Sequence, residues 1–197
     1  LDKERVGIRT FSFDADQGFF LNGKETKFKG VCVHHDGGCL GAAMYREVWL
    51  RRLLKLKEGG CNAIRCSHNP HMPELYDLCD ELGLLVFTEF PGWQHIGDDS
   101  WKAQAVANAE DMIRQYRNHP SIILWGIRIN ESPDDDAFYE KTNAVAHKLD
   151  PSRPTGGVRA MKKSHLLEDV YTYNDFLHDG EICLLYTSPS PRDTERS

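Results

Sequence analysis

No apolar run in this sequence reaches the roughly 18 residues a membrane-crossing helix needs, so a membrane span is excluded and a soluble chain is expected. A basic surplus is missing too. The 24 Lys and Arg stand against 30 Asp and Glu, a net charge of −6 with no basic face, which argues against nucleic acid as a partner. The six cysteines, at positions 32, 39, 61, 66, 79 and 183, include no Cys-x-x-Cys or comparable ligand pair. Most fall on expected strands and helices, where cysteine packs as a small buried hydrophobe rather than as a disulfide or metal ligand. The chain opens on Leu1 without an initiator Met or an n-region and apolar h-region, so neither export nor cytoplasmic residence is read from it.

What is present is an alternation of strand and helix patterns. Residues 7–14 alternate apolar and polar side chains, as a half-buried strand does, and Asn22-Gly23 between strand-like runs signals a type I′ hairpin. Residues 28–33 read as a strand ending on His34-His35-Asp36 and a glycine-rich loop. A helix is expected over 46–57, with Val48, Trp49, Leu53, Leu54 and Leu56 as its buried stripe and Gly59-Gly60 as its stop. The next strand is Ala63-Ile64-Arg65-Cys66. Pro73 opens a second helix whose Leu75, Leu78, Cys79 and Leu82 recur at helical spacing until Gly83.

An apolar strand at 84–88 leads into a long connection holding Pro91, Gly92, Trp93, Gln94 and His95; loops of this length in compact domains are usually functional. Helices at 99–116 and 136–149 flank another strand, and strands at 155–158 and 169–174 follow. Strand, helix and strand in this order predict a parallel sheet with crossovers, an α/β fold. Six such units are visible. A full (β/α)₈ TIM barrel takes about 250 residues, so an incomplete barrel of six units out of eight is expected, and an open barrel edge predicts marginal stability and aggregation.

The organising stretch runs Asn118-His119-Pro120-Ser121-Ile122-Ile123-Leu124-Trp125-Gly126-Ile127-Arg128-Ile129-Asn130-Glu131. An apolar strand that ends on Asn-Glu is a poor choice for stability alone, because the carboxylate beside the apolar layer must be hydrogen-bonded, paired or protonated. In α/β barrels the C-terminal ends of the strands carry the active site, which makes Glu131 a catalytic candidate.

This stretch resembles the acid/base signature of the family 2 glycoside hydrolases, the family of β-galactosidases, β-glucuronidases and β-mannosidases. Three further segments agree in order: Gly30-Val31-Cys32-Val33-His34-His35-Asp36, Asn62-Ala63-Ile64-Arg65-Cys66-Ser67-His68-Asn69-Pro70, and Leu78-Cys79-Asp80-Glu81-Leu82-Gly83-Leu84-Leu85-Val86-Phe87-Thr88-Glu89. The likeness covers roughly residues 8–180, and four ordered motifs are far more specific than one. It implies a partial TIM-barrel catalytic domain over 16–180, preceded at 1–15 by the end of an immunoglobulin-like β-sandwich domain, with the hairpin covering the barrel's base. It also implies a retaining glycosidase acting on terminal β-linked sugars, with a glycoside as its partner and no cofactor.

By the same resemblance Glu131 is the acid/base, which must be protonated near neutral pH, so a raised pKa is expected from burial and a facing carboxylate. Asn130 would donate to the sugar 2-hydroxyl. His34, His68 and Glu89 would line the pocket, with Arg65 as the counter-ion of Glu89, and Trp93 would offer its indole face to a sugar ring. Tyr173-Asn174 close the last strand near where the family keeps its nucleophile. That nucleophile lies on a seventh strand with no equivalent here: Glu168 precedes its strand, and Glu181 follows none. The chain by itself is therefore expected to be inactive. The carboxylate that magnesium-dependent members use after strand three is replaced by Trp93, leaving His95 alone, so no metal is expected. The family pattern has one residue fewer between Trp125 and Asn130, which predicts a bulge at Arg128.

Galactose is the first expectation for the sugar, on the His-His-Asp and Thr-Glu-Phe-Pro-Gly-Trp contexts, with β-glucuronidase or β-mannosidase as alternatives. A barrel that binds glycans without cleaving them would not need Glu131. A metal-dependent amidohydrolase wants two histidines one residue apart on its first strand, and His34-His35 are adjacent. Residues 181–197 carry no apolar period and many prolines; they look similar to a sequencing adaptor read in frame, and a non-native or disordered tail is expected there.

Overall fold

A computed structural model describes residues 6–161 and 163–174. The tail from 181, Glu181 and Cys183 lie outside the described residues.

Two sheets organise the chain. The first is antiparallel, β1 (Phe11–Asp14), β2 (Gly18–Leu21) and β3 (Lys24–Glu25) in that order. Leu21 pairs with Lys24 across the expected two-residue turn, with Asn22 and Gly23 at φ 51 and 75. Phe19 drives this sheet onto Ala63, Leu85 and Ile123, near the N-terminal ends of three parallel strands, and Phe11, Phe13, Leu21 and Phe28 pack around it. The hairpin thus plugs the base of the larger sheet, as the resemblance implied.

The larger sheet is parallel, with strand order following the sequence: β4 (Gly30–Val33), β5 (Ala63–Cys66), β6 (Leu85–Glu89), β7 (Ile122–Gly126), β8 (Thr155–Arg159) and β9 (Val170–Tyr173). The helices are α1 (Arg46–Glu58), α2 (Pro73–Leu82), α3 (Asp99–Tyr116) and α4 (Asp136–Leu149). This is six strands of an incomplete (β/α)₈ barrel. Between sheet and helices lies one continuous core that includes Trp49, Leu53, Leu75, Ile113, Trp125, Ile127 and Tyr139. No helix among the described residues is long and apolar enough to cross a membrane.

Four expectations need correction. Leu54 is exposed rather than part of the buried stripe of α1, because Trp49 and Leu53 already fill that contact. Cys66 and Cys79 are buried as expected, but Cys32 and Cys39 are exposed, one on the edge strand β4 and the other in the loop after it. The helical alternation stops after β8: the described residues between β8 and β9 form no helix, and their polar groups tie loops together instead. The His165 carbonyl accepts from Arg159 Nη2 at 2.8 Å, and the His165 N–H donates to Asp134 Oδ2 at 3.1 Å.

The fourth concerns the bulge at Arg128, which is present and larger than one residue. Ile127 N donates to Gly156 O and Glu131 N to Val158 O, so the chain advances four residues where β8 advances two. The extra length turns the fully buried Arg128 away from the ladder. It lies 4.4 Å from the Tyr139 ring centre and donates to Asp134.

Candidate active site

The C-terminal ends of β5, β6, β7 and β9 bring their polar side chains to one place. Arg65 sits on β5 in a strand otherwise apolar, where a cation can stay only if it is paired. Its partner is Glu89, the last residue of β6, 1% exposed. Arg65 Nε donates to Glu89 Oε1 at 2.7 Å and Nη2 to Oε2 at 3.1 Å, a two-pronged contact. Burial alone would lower the Arg65 pKa; the Glu89 charge and hydrogen bond outweigh it, and the net direction is up. The counter-ion reading made for Arg65 from the strand ends is what the geometry shows.

The same guanidinium reaches further. Nη2 donates to Asn130 Oδ1 at 2.6 Å, and Nη1 to Asn174 Oδ1 at 3.3 Å. His68 Nδ1 lies 3.3 Å from both Arg65 Nη2 and Glu89 Oε2. His34 comes in against His68, ring centres 5.5 Å apart and nearly perpendicular. Its neighbour His35 points the other way, toward Trp49 and His71 at 6.1 and 5.2 Å, as adjacent residues of an extended chain must.

Glu131 follows the buried Asn130 at φ 57. Three side chains donate to its carboxylate: Asn174 Nδ2 to Oε1 at 2.6 Å, and Trp93 Nε1 and Gln94 Nε2 to Oε2, both at 3.1 Å. This corrects the expected direction of its pKa. Burial does push the carboxyl up, but the donors Asn174, Trp93 and Gln94 and the nearby His68 outweigh it, and the net shift is down. The raised value was expected from a second carboxylate facing Glu131, and the donors that do face it favour the anion.

The structure therefore brings together Glu131, Asn130, His34, His68, Glu89 and Trp93. Trp93 is 59% exposed: its indole N–H holds Glu131 while the ring remains open to solvent. Tyr173 is half-buried at the end of β9, and Asn174 rather than Tyr173 reaches Glu131. Gln94 was visible in the sequence only as part of a long loop; no spacing pattern marks a residue that arrives from a neighbouring strand. Glu168 is fully enclosed between Arg128 and Arg159, which excludes it as a nucleophile facing a substrate.

Among the described residues one group could offer three ligand atoms to a metal: those of Asp77, Asp80 and His119 lie within 4.8 Å of one another. It stands at the opposite end of β7 from Glu131, and Asp80 is already engaged by His119 Nδ1 at 2.7 Å and Ser121 N at 2.9 Å.

Comparison with known proteins places this geometry. The sequence profile of the TIM barrel domain of the glycosyl hydrolases family 2 matches residues 15–182. A beta-galactosidase of Thermoanaerobacter pseudethanolicus is 51% identical over 178 residues, 90% of this chain and 24% of that protein. A beta-glucuronidase of Bacteroides fragilis is 36% identical over 161 residues, 76% of this chain and 23% of that protein. Among solved structures, beta-glucuronidase 3 of Bacteroides uniformis superposes with a TM-score of 0.79 at 36% identity, covering 86% of this chain and 23% of its own. The chain spans about a quarter of the length of the curated relatives it matches.

Proposed function

Because the chain belongs to family 2 of the glycoside hydrolases, we propose that it carries the acid/base half of a retaining β-glycosidase and that its substrate is a terminal β-galactoside. The observation that carries this reading is Glu131, set at the end of a buried strand with both oxygens held by side-chain donors and with Asn130 anchored to Arg65 beside it. A carboxyl so placed gives a proton to a departing glycosidic oxygen and takes one from water in the second half of a double displacement. Asn130 is 1% exposed and its Nδ2 is without a protein partner among the described residues, which leaves an N–H free for a sugar hydroxyl.

The nucleophile is placed outside the described residues, because Glu89, the carboxylate joined to this cluster, is committed to Arg65. A neutral sugar is favoured over a uronate on the same ground: the Arg65 charge is already matched by Glu89 and is not available for a substrate carboxylate. The relative named above at 51% identity, which is called beta-galactosidase, supports the same choice.

Hydrolysis of nitrophenyl β-galactoside, β-glucuronide and β-mannoside by the full-length gene product, beside Glu131→Gln, tests the reading. Cleavage of the galactoside, lowered about 10²–10⁴-fold in the variant, is the expected result. Unchanged cleavage by Glu131→Gln would overturn the acid/base role; preference for the glucuronide would overturn the sugar.

A further inference from the structure

Three residues other than glycine take positive φ among those described: Asn22, Gln94 and Glu131. Asn22 belongs to a hairpin turn that requires it. The other two, at φ 60 and 57, are the two partners of a single hydrogen bond, Gln94 Nε2 to Glu131 Oε2 at 3.1 Å. Left-handed backbone is disfavoured for a residue with a side chain and persists where the surroundings impose it.

Those surroundings are explicit. Phe90 N donates to Gly126 O at 2.9 Å, Gly92 N to His68 O at 3.1 Å and Gln94 N to Asn130 O at 2.8 Å, and Trp93 forms an isolated parallel bridge with Asn130. Gly92 lies so close to Ile129 that a Cβ there would stand 2.2 Å from Ile129 Cδ1. The loop after β6 is thus laid along the end of β7, one backbone bond before Glu131, and its side-chain amide is delivered to the carboxylate.

The three donors to Glu131 differ in what they can do when that carboxyl is protonated. Trp93 offers an N–H and nothing else. Asn174 is oriented by its other contacts: its Oδ1 accepts from Arg65 Nη1 at 3.3 Å, and its Nδ2 lies 3.4 Å from Asn130 Oδ1. The Gln94 carboxamide is tied, among the described residues, to Glu131 alone. Half a turn about its last side-chain bond exchanges Nε2 for Oε1 and converts a donor into an acceptor.

Resting on the acid/base reading of Glu131, we propose that Gln94 is a positioning residue that serves both protonation states of Glu131, donating to the carboxylate and, with its amide turned, accepting from the carboxylic acid. The acid's O–H rests against Gln94 Oε1 until the glycosidic oxygen takes the proton. As that proton moves, the anomeric C–O bond breaks and the nucleophile, outside the described residues, bonds to the anomeric carbon; Glu131 is left as the anion, and Gln94 turns back to donate to it. The titratable group that acts on Glu131 is His68, after β5, and the charged pair behind it, Arg65–Glu89 on β5 and β6, touches Asn130 and Asn174; none of these offers Glu131 a donor that a simple rotation turns into an acceptor.

The test is the pH profile of kcat/KM for Gln94→Met in the full-length gene product, with two glycosides of the sugar selected by the nitrophenyl panel. A dinitrophenyl glycoside leaves without protonation, and a methyl glycoside needs it. Loss of one hydrogen bond to the acid predicts about a tenfold fall on the methyl glycoside, no comparable fall on the dinitrophenyl glycoside, and a basic limb moved upward because the anion has lost a donor. Equal losses on both substrates would show a merely structural role, and no loss on either would show no role; each overturns the proposal. Gln94→Glu keeps the shape of the side chain and serves if Gln94→Met does not fold: its like charge should move the basic limb upward, and an unmoved limb overturns the proposal. Glu131→Gln run in parallel separates the two readings. If it cleaves the methyl glycoside as well as wild type, the acid/base reading falls; if it fails while Gln94→Met succeeds, only the role of Gln94 falls.

Discussion

The Arg65 guanidinium meets the Glu89 carboxylate with two parallel N–H···O contacts, 2.7 and 3.1 Å, beneath a cluster in which the same guanidinium also holds Asn130 and Asn174. One buried cation therefore sets three acceptors, Glu89 at the end of β6, Asn130 after β7 and Asn174 after β9. Arg65→Met leaves the buried Glu89 charge with only His68 Nδ1 beside it at 3.3 Å, a loss of about 3–5 kcal/mol. Arg65→Lys keeps the charge and loses the fork, so activity of the full-length gene product should fall more than stability does. Urea unfolding of both variants beside hydrolysis rates checks this; a Lys variant with wild-type activity would mean the fork orients nothing.

Gly126 ends β7 directly against Glu89. A Cβ at this position would lie 2.5 Å from Glu89 Cγ and 2.9 Å from its Cα, contacts that no rotamer change relieves because one is to backbone. Gly126→Ala should destabilise by about 1–3 kcal/mol through overpacking and lower activity by displacing Glu89 from Arg65. Unfolding midpoints that match wild type would show that the two strands can part at no cost.

Glu168 is enclosed by Arg128 and Arg159, all three side chains fully buried. Glu168→Gln removes the anion between two buried cations, and a loss of about 3–5 kcal/mol follows from the uncompensated charge. Denaturant melts at neutral pH measure it. A loss below about 1 kcal/mol would mean that Asp134 alone balances both arginines.

His71 links stability to pH. Burial pushes its pKa down, and nearby His35 and His34 act the same way, while hydrogen bonds from its ring to the backbone of Asn69 and Val33 oppose them; the result is about 4 against an ordinary 6.5. The unfolded chain then binds a proton that the folded one refuses between these values, so His71 contributes stability above pH 6.5 that is lost as pH falls toward 4. The full difference is on the order of 3 kcal/mol. His71→Gln keeps the backbone bonds to Tyr76 and Tyr116, and its stability should vary less between pH 7 and pH 4. An identical pH slope in urea melts would mean that His71 is not the group responsible.

Much of this arrangement was readable before any coordinates. The hairpin turn at Asn22-Gly23, the start of α2 at Pro73, the bounds of α3 and α4 and the apolar run of β7 are local matters, governed by turn chemistry and by periods of two and 3.6 residues that repeat within a dozen positions. The Arg65–Glu89 pair was also anticipated, since both residues end or interrupt adjacent apolar strands where a lone charge cannot stay. Leu54 was misjudged because an apolar residue on a helix says nothing about how wide a face its neighbours will cover. The alternation was expected to run throughout, but between β8 and β9 the described chain satisfies Arg159 and Asp134 instead, partners invisible to a periodicity.

The sequence alone was enough to set an alternation of strands and helices and to end its most apolar strand on Asn130-Glu131, because hydrophobic pattern and steric preference act between near neighbours. The environment of that carboxylate belongs to the assembled sheet. Asn174 lies 43 residues from Glu131 and Gln94 lies 37, and curling of parallel strands brings both against one side chain. Burial by itself would have raised the Glu131 pKa; donors gathered from beyond two strand ends, β6 and β9, lower it, and the sign of that balance exists only where the chain has folded.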